Sequence, residues 1–216
     1  FDEYPFSIPI IKSLTEINFE KPVTFIAGEN GSGKSTIIEA IAVSIGLSAE
    51  GGTRNMVYET VNSTSVLEQY LTLFKSGIQP RWKYFLRAES FYTMAQAYSR
   101  YNYNSPEIYM QSHGEAFNSI FDGFSENGLY LMDEPESALS PKNQMRLLIT
   151  MNTLVEKGCQ FIIATHSPIL LSYYNAQILN ADNLLKPISF RETEIYTLYR
   201  RFLECPEKMQ KYLFED

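Results

Sequence analysis

Cysteine, histidine and tryptophan are scarce in this chain of 216 residues, which holds two, two and one of them. Cys159 and Cys205 stand alone, with no further residue at metal-ligand spacing, so the sequence shows no zinc site. Cys159 opens an apolar run and reads as a buried thiol, which makes a reducing, cytoplasmic setting the expectation. No apolar stretch approaches the length needed to span a bilayer, and the residues from Phe1 onward show no basic-then-apolar signal segment. No membrane insertion is expected, and any membrane role would need a separate partner chain. Positive charge is also in deficit: 18 Lys and Arg stand against 25 Asp and Glu, for a net charge of −7. That balance argues against non-specific nucleic-acid binding, which relies on neutralising phosphates, and leaves only a local basic patch open. Internal repeats and sustained heptads are missing too. The 44% hydrophobic and 20% charged residues that remain describe an ordinary globular chain with one sizeable core, and residues 1–216 are read as a single domain.

What is present starts with Gly28-Glu29-Asn30-Gly31-Ser32-Gly33-Lys34-Ser35-Thr36, which fits the phosphate-binding pattern G-x-x-x-x-G-K-[ST]. Val23–Ala27 before it reads as a buried strand. Ile37, Ile38, Ile41, Ala42 and Ile45 after it recur at helical spacing up to Gly46, a C-terminal stop. Strand, glycine loop and helix are the context the motif needs. Glycines let the backbone wrap an anion with its N–H groups inward, and the helix N-terminus adds partial positive charge. Lys34 is expected to reach the β- and γ-phosphates and the Ser35 hydroxyl to ligate Mg²⁺, so the chain is read as binding a nucleoside triphosphate.

Apolar alternation around Ile8–Leu14 and Ile17–Phe19 suggests short N-terminal strands, and Val66–Phe74 has helical spacing. Tyr84-Phe85-Leu86 reads as a strand ending in polar Arg87-Ala88-Glu89-Ser90. Leu129–Met132 and Phe161–Ala164 read as buried strands ending in Asp133-Glu134-Pro135 and Thr165-His166-Ser167-Pro168. Between them, Ser140-Pro141 is a strong helix start, an N-cap followed by proline at the first helical position. Strands alternating with helices indicate a mainly parallel sheet covered on both faces, whose ligands bind off the carboxyl ends of the strands. The phosphate loop, Asp133, Glu134 and His166 all stand at such ends. The helices within Thr193–Asp216 are expected to pack on the core, with docking of a partner as the alternative.

Asp133 is therefore expected to hold Mg²⁺ opposite Ser35, and Glu134 to take a proton from the attacking water. His166 would contact the γ-phosphate or that water. Ser112, Gly114 and Glu115, at the start of a helix-like run, can offer a hydroxyl, N–H groups and a helix dipole to an anion. Arg54 reads as an exposed loop arginine.

The ordered set Gly28–Thr36, Phe85–Phe91, Gln111–Glu115, Leu131–Pro135 and Ala164–Leu171 resembles the ABC-type ATPases, closest to small stand-alone bacterial ATPases near the SMC and Rad50 heads. The likeness spans about residues 8–180. It implies an α/β P-loop NTPase with a mainly parallel sheet flanked by helices, a small helical lobe at about 66–125 and an N-terminal antiparallel β element. In its terms Gly28–Thr36 is the Walker A loop, Asp133 the Walker B aspartate, Glu134 the catalytic glutamate and His166 the switch histidine. Ser112–Glu115 is the signature motif, which contacts the γ-phosphate held by a second subunit. The resemblance thus implies ATP as nucleotide and a homodimer with ATP at its interface. Departures are visible: His113 and Glu115 replace a glycine and a glutamine of the signature, and Ser140 stands where the dimer-contacting loop ends in Asp. Glu89 or Ser90 is a weak substitute for the missing transmission-loop glutamine, and Tyr4 and Phe6 are the aromatics placed for an adenine base. The alternative reading is an ATP-gated interaction module with little turnover that regulates an unknown partner such as a nuclease or toxin.

Overall fold

The computed structural model describes residues 3–52, 65–75, 77, 79–88, 121 and 123–214. Six strands form its sheet: β1 (Val23–Ala27), β2 (Trp82–Arg87), β3 (Gly128–Asp133), β4 (Gln160–Ala164), β5 (Ala176–Asn180) and β6 (Lys186–Pro187). Their order is β2-β3-β4-β1-β5-β6. The first five run parallel, and β6 closes the edge antiparallel to β5. All five residues of β1 are buried, as expected of a strand covered on both faces. The order places β1, carrying the phosphate loop, beside β4, with the acidic strand β3 next in line. Register then fixes the site, because Arg87 pairs with Asp133 and Asp133 with Ala164.

Side chains alternate between two cores. Val23, Phe25, Met132, Phe161 and Ile163 face one side, while Ile26, Phe85, Leu131, Ile162 and Ala164 face the other. Helix α2 (Lys34–Ser44) covers the second face with Ile37, Ile38 and Ile41. Helices α3 (Pro141–Val155) and α4 (Pro168–Leu171) cover the first through Leu147, Met151, Leu154, Leu170 and Leu171. Each such side chain contributes about 1.5–3 kcal/mol through its removal from water. Helix α3 begins where the sequence places it, with Ser140 Oγ accepting from the Asn143 N–H at 3.4 Å and proline at its start. Cys159 is buried, as expected, and desolvation pushes its thiol pKa up.

The N-terminal segment departs from expectation. Ile8–Leu14 holds a helix, α1 (Pro9–Ser13), in place of strands, with Pro9 in the first turn, where a missing N–H costs nothing. No strand is found among the described residues before β1, so the antiparallel N-terminal element is not formed there. Val66–Tyr70 is a 3₁₀ helix, and the interval 66–125 also contains the sheet strand β2. Trp82, at the amino end of β2, is 52% exposed. The C-terminal helices α5 (Glu194–Glu204) and α6 (Pro206–Phe214) bury no residue fully, and the core packing expected of them is confined to the first turn of α5, where partly buried Ile195 meets the core. Leu198, Tyr199, Phe202, Leu203 and Phe214 are exposed on them. No helix among the described residues is long and apolar enough to cross a membrane.

Candidate functional site

The phosphate loop is clamped from two sides. Gly33 caps α2 with a left-handed φ of +97°, and a Cβ there would lie 2.8 Å from Ile10 Cγ2 and 3.0 Å from Ile8 Cγ2. Only glycine fits this backbone and this approach of the α1 segment. From the other side the Asp182 carboxylate accepts the Glu29 N–H at 3.0 Å, and a Cβ on Gly28 would meet Ala181 Cβ at 2.9 Å. Helix α2 therefore starts at a rigid turn with no side chain capping its N-terminus. Its first N–H groups are the anion-receptive ones.

Lys34 is only 3% exposed, and its Nζ donates to the carbonyls of Gly28 and Glu29, both at 2.8 Å. The same Nζ lies 3.9 Å from Glu134 Oε1. Ser35 Oγ donates to Asp133 Oδ1 at 2.9 Å, across 98 positions of sequence. The loop and the acidic pair thus converge as the sequence requires. Asn30, Gly31, Gly33, Lys34, Ser35, Thr36, Asp133 and Glu134 line one cleft of about 460 Å³ together with Tyr4. The Tyr4 hydroxyl is 3.4 Å from Thr36 Oγ1. Phe6 instead packs edge-to-face on Tyr70, with ring centroids 4.9 Å apart.

Glu134 has φ +48° and ψ +52°, a left-handed conformation that costs a non-glycine residue about 1–2 kcal/mol. Its N–H donates to the Ala164 carbonyl at 3.0 Å, and its carbonyl accepts from Ser137 Oγ at 2.6 Å. These contacts hold the turn that follows Asp133. His166 Nδ1 stands 3.8 Å from Glu134 Oε1. The histidine lines a smaller cavity of about 90 Å³ that also touches Gly28 and Glu29, on the flank of the main cleft. Ser112, Gly114, Glu115, Glu89, Ser90 and Arg54 lie outside the described residues.

A magnesium nucleotide fits these groups. Ser32 Oγ is buried without a hydrogen-bond partner among the described residues, an orphan donor inside the loop. Asp133 and Ser35 supply hard oxygens on one side of the cleft. No group of three His, Cys, Asp or Glu suited to a metal occurs among the described residues. Magnesium needs none, since it takes one or two protein oxygens alongside phosphate and water.

Three residues that sequence reading missed complete the surroundings. Arg87 NH1 pairs with Glu39 Oε2 at 2.8 Å, and Arg87 Nε lies 3.8 Å from Asp133 Oδ2. Glu39 Oε1 also accepts the Ser65 N–H at 3.1 Å. The signal for Glu39 was a carboxylate in an otherwise apolar helix. Glu136 accepts the His166 N–H at 2.7 Å.

Residues 7–123, more than half of the chain, match the family model described as "AAA domain". The chain belongs to the AAA domain family. A second family model, described as "AAA domain, putative AbiEii toxin, Type IV TA system", matches residues 115–172. The resemblance read from the motifs is thereby met at the level of an AAA/ABC-like P-loop ATPase. No match was found among curated proteins. Among solved structures this AAA domain protein is similar to the SMC head domain from Thermotoga maritima, at 18% identity and TM-score 0.46, covering 80% of this chain and 92% of that one. It is also similar to the dimeric bacterial ABC transporter cassette MJ0796, at 16% identity and TM-score 0.45, covering 82% and 89%. The family assignment rests on the model match rather than on these likenesses.

Proposed function

We propose that this AAA domain protein is an ABC-type ATPase, which binds Mg·ATP, hydrolyses it to ADP and phosphate, and closes as a homodimer around the nucleotide to drive a conformational switch. The observation that carries the reading is the Ser35–Asp133 hydrogen bond of 2.9 Å beside the buried Lys34 ammonium, which unites the loop and the acidic strand in one cleft. Gly28–Thr36 cradle the phosphates through backbone N–H groups. Lys34 exchanges its two loop carbonyls for β- and γ-phosphate oxygens. Ser35 and Asp133 are the protein groups that would hold magnesium, which would supply positive charge against the triphosphate. Glu134 accepts the proton of the water whose oxygen bonds to the γ-phosphorus as the bond to the β-phosphate oxygen breaks. His166 steadies that water or the γ-phosphate from the flank. Tyr4, which lines the cleft, is assigned to the base, and Ser112, Gly114 and Glu115 are assigned to the nucleotide of the second subunit. The proposed setting is cytoplasmic.

Glu134→Gln is expected to keep Mg·ATP binding and lower turnover by about 10²–10⁴-fold. It should also accumulate an ATP-bound dimer in light scattering. Normal turnover in that variant would remove Glu134 from the role of base.

The exposed apolar side chains of α5 and α6 favour a second reading, an ATP-gated interaction module that turns over slowly and regulates a partner effector such as a nuclease or toxin. Single-turnover kinetics separate the two. Slow hydrolysis with tight nucleotide retention supports the module, and rapid multiple turnover supports the motor.

A further inference from the structure

We propose that Glu136 is a positioning residue for His166, holding its Nδ1–H against a buried carboxylate so that the bare Nε2 is presented beside the phosphate loop. The proposal rests on the reading of the cleft as an ATPase site and concerns a residue to which the motif reading gave no role.

Glu136 lies in the 3₁₀ turn Pro135–Ser137 that follows the acidic strand, and its side chain is 6% exposed. A carboxylate this far from water is costly unless it is well supplied with donors. One donor is visible, the His166 backbone N–H at 2.7 Å from Oε1. A neutral serine or asparagine would serve a single N–H at less cost, so the carboxylate calls for a second donor. The nearest candidate is the imidazole, with Nδ1 3.2 Å from the same oxygen. That separation suits a hydrogen bond, but the ring is turned out of line. His166 Nδ1 and Glu136 Oε2 both remain buried without a hydrogen-bond partner among the described residues. Buried polar atoms are seldom left so, and a small rotation of the ring would bring the Nδ1–H into line with the Glu136 carboxylate, whose Oε1 is already 3.2 Å away.

The chemistry of the pair then dictates the tautomer. An ionised carboxylate only accepts, so the nitrogen facing it must carry the proton and the other nitrogen keeps its lone pair. The His166 side chain is 44% exposed although Nδ1 is buried, so its exposure lies on the opposite edge, which carries Nε2. The ring lines the small cavity that also touches Gly28 and Glu29. Glu134 also approaches Nδ1, at 3.8 Å, but its side chain is 31% exposed and serves the main cleft. Glu136 is therefore the residue that orients the ring, and Nε2 becomes a hydrogen-bond acceptor toward water or ligand on the loop side.

The test reads the tautomer directly. The chain has two histidines, His113 and His166, so ¹⁵N–¹H correlation spectra of the imidazoles are simple, and a His166→Asn sample assigns them. Spectra are taken without nucleotide, at a pH well above the ordinary histidine range. The expected result is an Nδ1–H tautomer at His166 in the native protein and a shift to Nε2–H in Glu136→Ala. Glu136→Gln, which keeps an acceptor oxygen, should retain the native tautomer. In ATPase assays Glu136→Ala should lower turnover about ten-fold with nucleotide affinity unchanged. It should add less than about two-fold when His166 is already Asn. An Nε2–H tautomer in the native protein overturns the proposal, as does an unaltered tautomer in Glu136→Ala or an undiminished effect in the His166→Asn background. If Glu136→Ala does not fold, the native spectrum and Glu136→Gln still decide. Failure of the ATPase reading would appear differently, as absence of Lys34-dependent turnover in the native protein with the tautomer result intact.

Discussion

Helices α2 and α5 are both eleven residues long, yet eight residues of α2 are buried and none of α5. Their N-termini differ as much. Thr193 Oγ1 closes α5 by accepting the Tyr196 N–H at 3.3 Å, whereas α2 opens on Gly33, which has no side chain to offer. A terminus satisfied by its own chain is a structural stop, and one left open is receptive to an anion. Burial does the complementary work. It fixes Lys34 and Ser35 to a helix wedged under the sheet, while Leu198, Tyr199, Phe202 and Leu203 of α5 stay exposed. One helix is built to hold a ligand still, and the other leaves Leu203 and its neighbours exposed.

The largest expected effect that would break this contrast is on the ligand. Lys34→Ala should weaken Mg·ATP binding by about 100-fold or more in calorimetry, since two charge-assisted contacts are lost. Unchanged affinity would mean that the open terminus of α2 is not the phosphate site. Next comes packing. Ile38, fully buried, should cost about 2–5 kcal/mol when cut to Ala, and Leu203, 70% exposed, less than about 0.5 kcal/mol in the same urea melts. Equal losses would show that α5 is buried in solution. The cap comes last, smaller than the loss at Ile38. Thr193→Ala should cost about 1 kcal/mol, and hydrogen exchange should place the loss in α5 while α2 stays protected.

The parts of the site carried by local residue types were legible in the sequence. The glycine loop, the acidic pair, His166 and the start of α3 at Ser140-Pro141 each depend on a few adjacent residues whose chemistry admits one arrangement. What escaped depends on distant partners. The alternation at Ile8–Leu14 mimics a strand, but Pro9 opens a short helix whose neighbours Ile8 and Ile10 are needed against Gly33. Strand β5 was hidden by Gln177, a polar residue inside it. Its amide accepts from the Thr24 hydroxyl at 3.2 Å and the Glu20 N–H at 3.0 Å, and donates to the Asn18 carbonyl at 3.1 Å. Those bonds meet the needs of a buried amide, so a hydrophobic count misses the strand. The Glu39–Arg87–Asp133 and Glu136–His166 contacts join residues 30 or more positions apart, and no spacing rule announces them.

The sole tryptophan of the chain has a practical consequence for anyone watching the protein by light. Trp82 begins β2 while Arg87, its far end, is level with Asp133, so the backbone at Trp82 stands about 16 Å along the strand from the level of Asp133 at the usual rise per residue. The indole emission should report the melting of the sheet and stay silent when nucleotide arrives. A dye attached at position 4, on the rim of the cleft, would do the reverse.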